Sequence, residues 1–178
     1  MDFHLVLADK DIFKNPEYPI PSSYEKRKTV KAVVMHHEEK FGFVTSPIHG
    51  FILLSEGGAE TEDLEAEIIR ECAEELLVEV SIIGKIGTAT EYRNRDAKEY
   101  ETVCFATRVE KELTGDRRTE EEKKKGLRPV WQSEDHALRI FSEQREKVER
   151  GEVGFYNTAF NIIRDERFFL EYLKRRSL

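Results

Sequence analysis

Four glutamates recur at helical spacing between Asp63 and Leu77: Glu67, Glu71, Glu74 and Glu75. The stretch contains no Gly or Pro and consists mostly of good helix formers. Thr61 is placed to cap its start, and Glu62 and Asp63 suit the positive end of the helix dipole. Wound at about 100° per residue, the segment has two faces. Ala66, Ile69, Cys72, Ala73 and Leu76 fall on one, and the four carboxylates on the other. Carboxylates three and four residues apart repel by roughly 0.2–0.5 kcal/mol per pair on an exposed helix. Arg70 lies beside them and cannot neutralise them all. A hard divalent cation can, because Mg²⁺ and Mn²⁺ prefer carboxylate oxygens and water. A solvated acidic face fits the charge pattern equally well, since 37% of the chain is charged. The Gly57-Gly58 pair just upstream shifts the balance, marking backbone that turns tightly or approaches something closely.

The run from Gly57 to Val78 resembles the signature box of the Nudix hydrolases. Glu62, seven residues, then Arg70-Glu71-Cys72-Ala73-Glu74-Glu75 follows the central and C-terminal parts of that box in register, and Val78 fits its closing aliphatic position. The chain departs from the box at four points. Ser55 and Glu56 replace the residues that usually lead into the glycine turn. The loop from Gly57 to Glu62 is about one residue short. Cys72 occupies an aliphatic position, and Leu77 stands where the box closes on Gly. The resemblance implies that Glu71, Glu74 and Glu75 bind Mg²⁺ or Mn²⁺. It also implies that Gly57, Gly58, Glu62 and Arg70 brace the loop and orient those carboxylates. Glu67 matches no box position and is read as a solvated or outer group. The family often places one more functional Glu before a Trp-bearing strand, here Pro129-Val130-Trp131. Glu120, Glu121 and Glu122 are the candidates, and Glu121 is taken as the catalytic one beside Glu71, Glu74 and Arg70.

The implied reaction is hydrolysis of a diphosphate bond in a nucleoside diphosphate linked to another moiety, by metal-activated water. The alternative is a Nudix-fold module that binds a nucleotide and has lost efficient turnover. Arg93 and Arg95 are candidates for grasping phosphate, since guanidinium pairs with it bidentately. Arg27 and Lys28 are weaker ones. Tyr92, Tyr100, Phe43, Phe51 and Trp131 include possible stacking partners for a base, none singled out. His36-His37-Glu38-Glu39 invites a metal reading, but side chains in a tight turn diverge.

The elements that must position these residues follow from the pattern. Residues 29–35, 41–45, 51–54, 78–90 and 99–108 read as strands, with Phe3–Leu7 as an edge strand. Glu91–Asp96 reads as a polar hairpin tip. Helices are expected over about 133–150 and 157–174, the latter presenting Phe160, Ile163, Phe168, Leu170 and Leu173. Strands, helix, strands, helices make an α/β chain with a mixed sheet, which the resemblance sharpens to a Nudix-type α/β/α sandwich. The expected organisation is an N-terminal extension, 1–28, and one domain, 29–178. A chain of 178 residues suffices for one sizeable core. A net charge of −7 argues against broad nucleic-acid binding. No apolar run approaches the roughly 20 residues of a membrane span, and the start does not read as a signal peptide. Cys72 and Cys104, with no CxxC, read as buried thiols of a reducing, cytoplasmic setting. The expected partner is a small nucleotide-type molecule, with a homodimer contact open on the last helix.

Overall fold

The computed structural model describes residues 3–177. Its sheet has eight strands. β1 (Phe3–Ala8) leads through a one-turn helix, α1 (Asp9–Ile12), and a long loop to β2 (Glu25–Met35). β3 (Lys40–Thr45), β4 (Ile52–Leu53) and β5 (Ser55–Gly58) follow, then α2 (Leu64–Glu75). β6 (Val78–Arg93) and β7 (Lys98–Glu112) form a long hairpin, followed by α3 (Glu120–Lys125), β8 (Arg128–Ser133), α4 (Glu134–Glu149) and α5 (Tyr156–Arg176). The main path runs β1-β6-β7-β2-β3-β4, with β5 beside β2 and β8 beside β3. β1 pairs parallel with β6, and β2 parallel with β7, while the hairpin partners are antiparallel. The sheet is therefore mixed, and β1 is the expected edge strand.

β2 shows why the sheet is covered on both faces. Its residues Thr29 to Val34 are all buried, the pattern of a strand with packing above and below. Val30, Ala32 and Val34 join Ile68, Cys72 and Leu76 of α2 on one face. Val33 joins Phe41, Phe43, Phe141, Phe168 and Phe169 on the other, beneath α4 and α5. Each such buried aliphatic or aromatic side chain contributes about 1.5–3 kcal/mol. The result is the expected α/β/α sandwich.

Several boundaries and faces differ from the pattern reading. The helix of the acidic segment starts at Leu64, and its cap is Asp63, whose carboxylate accepts from Ala66 N at 3.0 Å. Its buried stripe is Ile68, Cys72 and Leu76, whereas Ala66 is exposed. Glu67, Glu71 and Glu75 form the adjoining stripe and are themselves buried. β5 lies over this stripe, with Gly57 against Glu71 and with Ser55 and the Glu56 amide as partners of Glu75, while Thr61 N and Arg70 satisfy Glu67. β6 continues to Arg93, so Glu91 and Arg93 are buried strand residues rather than a hairpin tip. On α5, Leu170 is exposed, while Arg164 and Asp165 are buried. Among the described residues no helix is long and apolar enough to cross a membrane.

Candidate active site

The glycine pair is strand, not free loop. Ser55 to Gly58 pair with Ala32 to Thr29 of β2, which fixes their backbone over the inner stripe of α2. A Cβ on Gly57 would lie 2.1 Å from Glu71 Oε1. Only glycine lets that carboxylate rest against the strand. Glu75 lies one turn further along. Its Oε2 accepts from Ser55 Oγ at 2.7 Å and from Glu56 N at 3.0 Å. Burial pushes the Glu75 carboxyl up to about 8, against the pull of Ser55.

Oxygens of Glu71, Glu74 and Glu122 lie within 4.8 Å of one another. This is the one such group of metal-ligating side chains among the described residues. Burial raises the Glu71 carboxyl to about 7, Arg70 opposes that rise, and Glu74 and Glu122 add to it. Arg70 reaches three carboxylates at once: Nη2 donates to Glu67 at 2.9 Å and to Glu71 at 2.7 Å, and Nη1 to Glu74 at 2.9 Å. Glu67 in turn accepts from Thr61 N at 3.1 Å. The loop is thus braced through Arg70 and Glu67. Glu62 is exposed and pairs with Lys28 at 3.0 Å. Of the glutamates read as metal ligands, Glu71 and Glu74 come together, and Glu75 is held by β5.

α3 supplies the third member. Thr119 and Glu122 form a capping box, with Glu122 Oε2 accepting from Thr119 N at 2.5 Å. That bond folds Glu122 back toward the cluster. Glu121 points outward and pairs with Lys125 at 2.6 Å, and Glu120 pairs with Lys123 at 2.9 Å. The capping box was the signal in the sequence that separates Glu122 from its neighbours.

A cavity of about 460 Å³ opens over the cluster. Glu71, Glu74 and Glu122 line one side, and Lys26, Arg27 and Lys28 of β2 another. Lys26 pairs with Glu99 and Glu101, and Lys28 with Glu62. Arg27 has no ion pair among the described residues. A site with carboxylates on one wall and an unpaired guanidinium on the other suits an anion bridged to the protein by a divalent cation. The donor set fits Mg²⁺ or Mn²⁺: oxygen ligands only, crowded like charges, and a single Arg70 to offset them.

The other arginines stand elsewhere. Arg93 is buried, with Nη2 on Glu91 at 3.2 Å and on Asn161 at 2.8 Å. Arg95 pairs with Asp96 at 2.8 Å and lies over the Tyr156 ring at 4.4 Å. Neither lines the carboxylate cavity. His36 reaches Glu112 at 3.3 Å and stacks on His37, away from the cluster.

Sequence reasoning missed the charges behind the glycine strand. Lys31 Nζ meets Asp165 at 2.7 Å and Glu56 at 3.0 Å. Arg164 meets Glu91 at 2.6 Å, Glu56 at 3.0 Å and Asp165 at 3.2 Å. Burial alone would raise Glu56, but Lys31 and Arg164 outweigh it and hold the carboxyl at about 2. Glu56, a departure from the signature box, is thus the tie between the glycine strand and α5. A buried Lys-Asp pair between residues 31 and 165 leaves no local pattern to read.

No family model matches the chain, and no curated protein matches it. Among solved structures it is similar to a NUDIX hydrolase from Nitrosomonas europaea. The TM-score is 0.53 at 20% identity, over 72% of this chain and 91% of that one. It also matches the solution structure of the E. coli ORF135 protein at TM-score 0.47 and 18% identity, over 68% and 83% of the two chains. The first likeness extends over nearly the whole of the solved protein, and its fold is the one the acidic box implied: the chain has a Nudix-type fold.

Proposed function

We propose that the protein hydrolyses a diphosphate bond in a nucleoside diphosphate linked to another moiety, with Mg²⁺ or Mn²⁺ held by Glu71, Glu74 and Glu122. The observation that carries this reading is the meeting of three carboxylates from two separate elements opposite an unpaired Arg27. When bound, such an ion polarises a phosphoryl oxygen and lowers the pKa of water. The chain's own residues do the rest. Arg27 meets the phosphate and orients it over the carboxylates. Arg70 donates to Glu67, Glu71 and Glu74 and holds them together, so the cluster costs little reorganisation when substrate arrives. A carboxylate of the cluster takes the proton of the attacking water as it closes on phosphorus. Gly57 keeps the strand close enough for Glu71 to pack beneath it. The test is release of phosphate or nucleoside monophosphate from a panel of nucleotide derivatives with Mg²⁺. Glu74→Gln is expected to lower kcat by about 10²–10⁴, the usual worth of a positioned acid–base group. Tight nucleotide binding with no turnover, unaltered by Glu74→Gln, would instead establish a nucleotide-sensing module.

A further inference from the structure

β6 and β7 fall out of step twice within a short stretch. Ile82 faces Thr107 and Gly84 faces Ala106; then Lys85 faces Phe105 and Gly87 faces Cys104. Ile83 and Ile86 are therefore extra residues on β6. Bulges of this kind bend a strand and re-aim its side chains. Here they set a glycine across from an alanine, and a hollow of about 320 Å³ opens there, lined also by Ile83, Ile86, Met35 of β2 and Tyr172 of α5. A Cβ on Gly84 would meet nothing within 4 Å. Glycine inside a strand weakens it and often marks the approach of a ligand or another chain. The floor is apolar: Ile86, Ala106 and Tyr172 belong to the core beneath α4 and α5, and Met35 packs against it. Ile83 is 51% exposed. The hollow shares no lining residue with the carboxylate cavity.

Four cations complete the lining: Lys85, Arg108, Arg175 and Arg176. The chain carries a net charge of −7, so the grouping needs a reason. For two of them the last turn of α5 supplies it. Arg175 pairs with Glu171 at 2.8 Å and donates to Lys85 O at 3.4 Å, and Arg176 pairs with Glu134. Both also suit the negative end of the helix dipole. Lys85 and Arg108 stand on strands and have no ion pair among the described residues. Tyr172 adds a donor. Its hydroxyl donates to the Met35 thioether at 3.3 Å, a weak acceptor that a carboxylate oxygen outcompetes. Burial pushes that hydroxyl up, and the charges of Arg176 and Arg108 draw it back down. Both guanidiniums thus act on the same end of the hollow.

We propose that this hollow binds a free amphiphilic acid, a carboxylate on a short apolar body. The body lies over Gly84 and Ala106, and Arg108, Lys85 and the Tyr172 hydroxyl donate to the carboxylate. The volume is at the lower end for small-molecule sites, which start near ~300 Å³. A wholly polar anion leaves the apolar floor wet. A neutral apolar molecule desolvates two cations with nothing to offset the cost. An acid with an apolar body answers both, and its planar head matches a guanidinium. The site does not rest on the hydrolase reading. Calorimetric titration of the whole chain with octanoate, octan-1-ol and acetate tests it. Octanoate should bind at least about tenfold tighter than either of the others. Arg108→Gln should weaken octanoate about tenfold, toward the alcohol. Gly84→Leu fills open space and should lose octanoate altogether while melting no lower than the parent. Arg108 is exposed, so its variant carries the test even where Gly84→Leu does not fold. Octanoate that binds Arg108→Gln as it binds the parent overturns the proposal. So does octan-1-ol that binds as tightly as octanoate, or octanoate that does not bind at all. In that last case, sedimentation with phosphatidylglycerol vesicles that falls in Arg108→Gln assigns the face to a lipid surface instead.

Discussion

At the scale of single residues, the site depends on which of several adjacent glutamates faces inward. Glu121 and Glu122 are neighbours with the same side chain, yet one is paired outward with Lys125 and the other joins the cluster. Glu122→Gln is therefore expected to lower Mg²⁺-dependent turnover by about 10² or more, and Glu121→Gln to leave it within about threefold. Steady-state kinetics on the pair would show the reverse if the outward residue were the functional one. Gly57 offers a second test. A methyl group at 2.1 Å from Glu71 Oε1 has to displace that carboxylate. Gly57→Ala should cost about 1–3 kcal/mol of stability, the usual range for overpacking, and should weaken Mn²⁺ binding in the same preparation. The residues of the box were readable from type and spacing because a helix repeats. Glu75 and Glu62 show the limit of that method. Spacing places Glu75 beside Glu71, but only the three-dimensional position of Ser55 and the Glu56 amide decides what its carboxylate touches.

At the scale of elements, the end of α2 is set by a residue in an unusual conformation. Leu77 has φ 57°, a left-handed backbone where the signature box has glycine. A side chain there costs about 1–2 kcal/mol, and glycine avoids it. Elsewhere Ala outperforms Gly through its lower chain entropy. Here the order should invert: Leu77→Gly should melt above Leu77→Ala, by about 1 kcal/mol in denaturant titrations, because both lose the leucine side chain and only one loses the strain. An Ala variant as stable as the Gly variant would show that the backbone relaxes. Most strands and the three longer helices were legible from alternation and helical period, and β8 from the resemblance. The ends were less so. β2 starts at Glu25, because β7 offers a parallel partner all the way to Lys98, and no local signal in Tyr24 to Lys28 announces a partner so distant in sequence. The glycine pair of β5 reads from the sequence as a tight turn or a close approach, and the structure makes it a close approach within a strand. Two glycines and a glutamate have weak strand preference, and pairing with β2 overrides it.

For the molecule as a whole, the buried charges join β2, β5, β6 and α5 into one unit. Removing Arg164 leaves only Lys31 and Arg93 to face three carboxylates, Glu56, Glu91 and Asp165. Arg164→Met should cost about 3–5 kcal/mol, the measured scale for breaking a buried pair, well beyond the cost of any surface pair such as Arg150 with Glu146. The network also sets an acid limit. Glu56 sits at about 2 in the folded protein against an ordinary 4.5, so the unfolded chain takes up its proton first as pH falls. The stabilisation is complete above about 4.5 and disappears as pH drops toward 2. Glu56→Gln should be less stable than the parent at neutral pH, and the gap should close across that window in chemical unfolding. A constant gap from pH 6 to 2 would place the acid sensitivity elsewhere. Both faces of the sheet were visible in the sequence as apolar runs, but this polar seam between them was not, since Lys31 and Glu91 look like solvent residues in strands that are otherwise apolar.

The span of that seam has a consequence for how the molecule is made. Synthesis delivers β2 and β6 long before α5, and Lys31 waits 134 residues for Asp165. Until then its ammonium must stay hydrated, which holds the sheet open on the side that α5 will close. The clustered glutamates of α2 and the glycine strand emerge early, yet Glu56 has no guanidinium to lock it until Arg164 leaves the ribosome. The glycine strand is thus locked only with the last helix, and a nascent chain halted before Tyr156 would carry the acidic box without the clamp on Glu56.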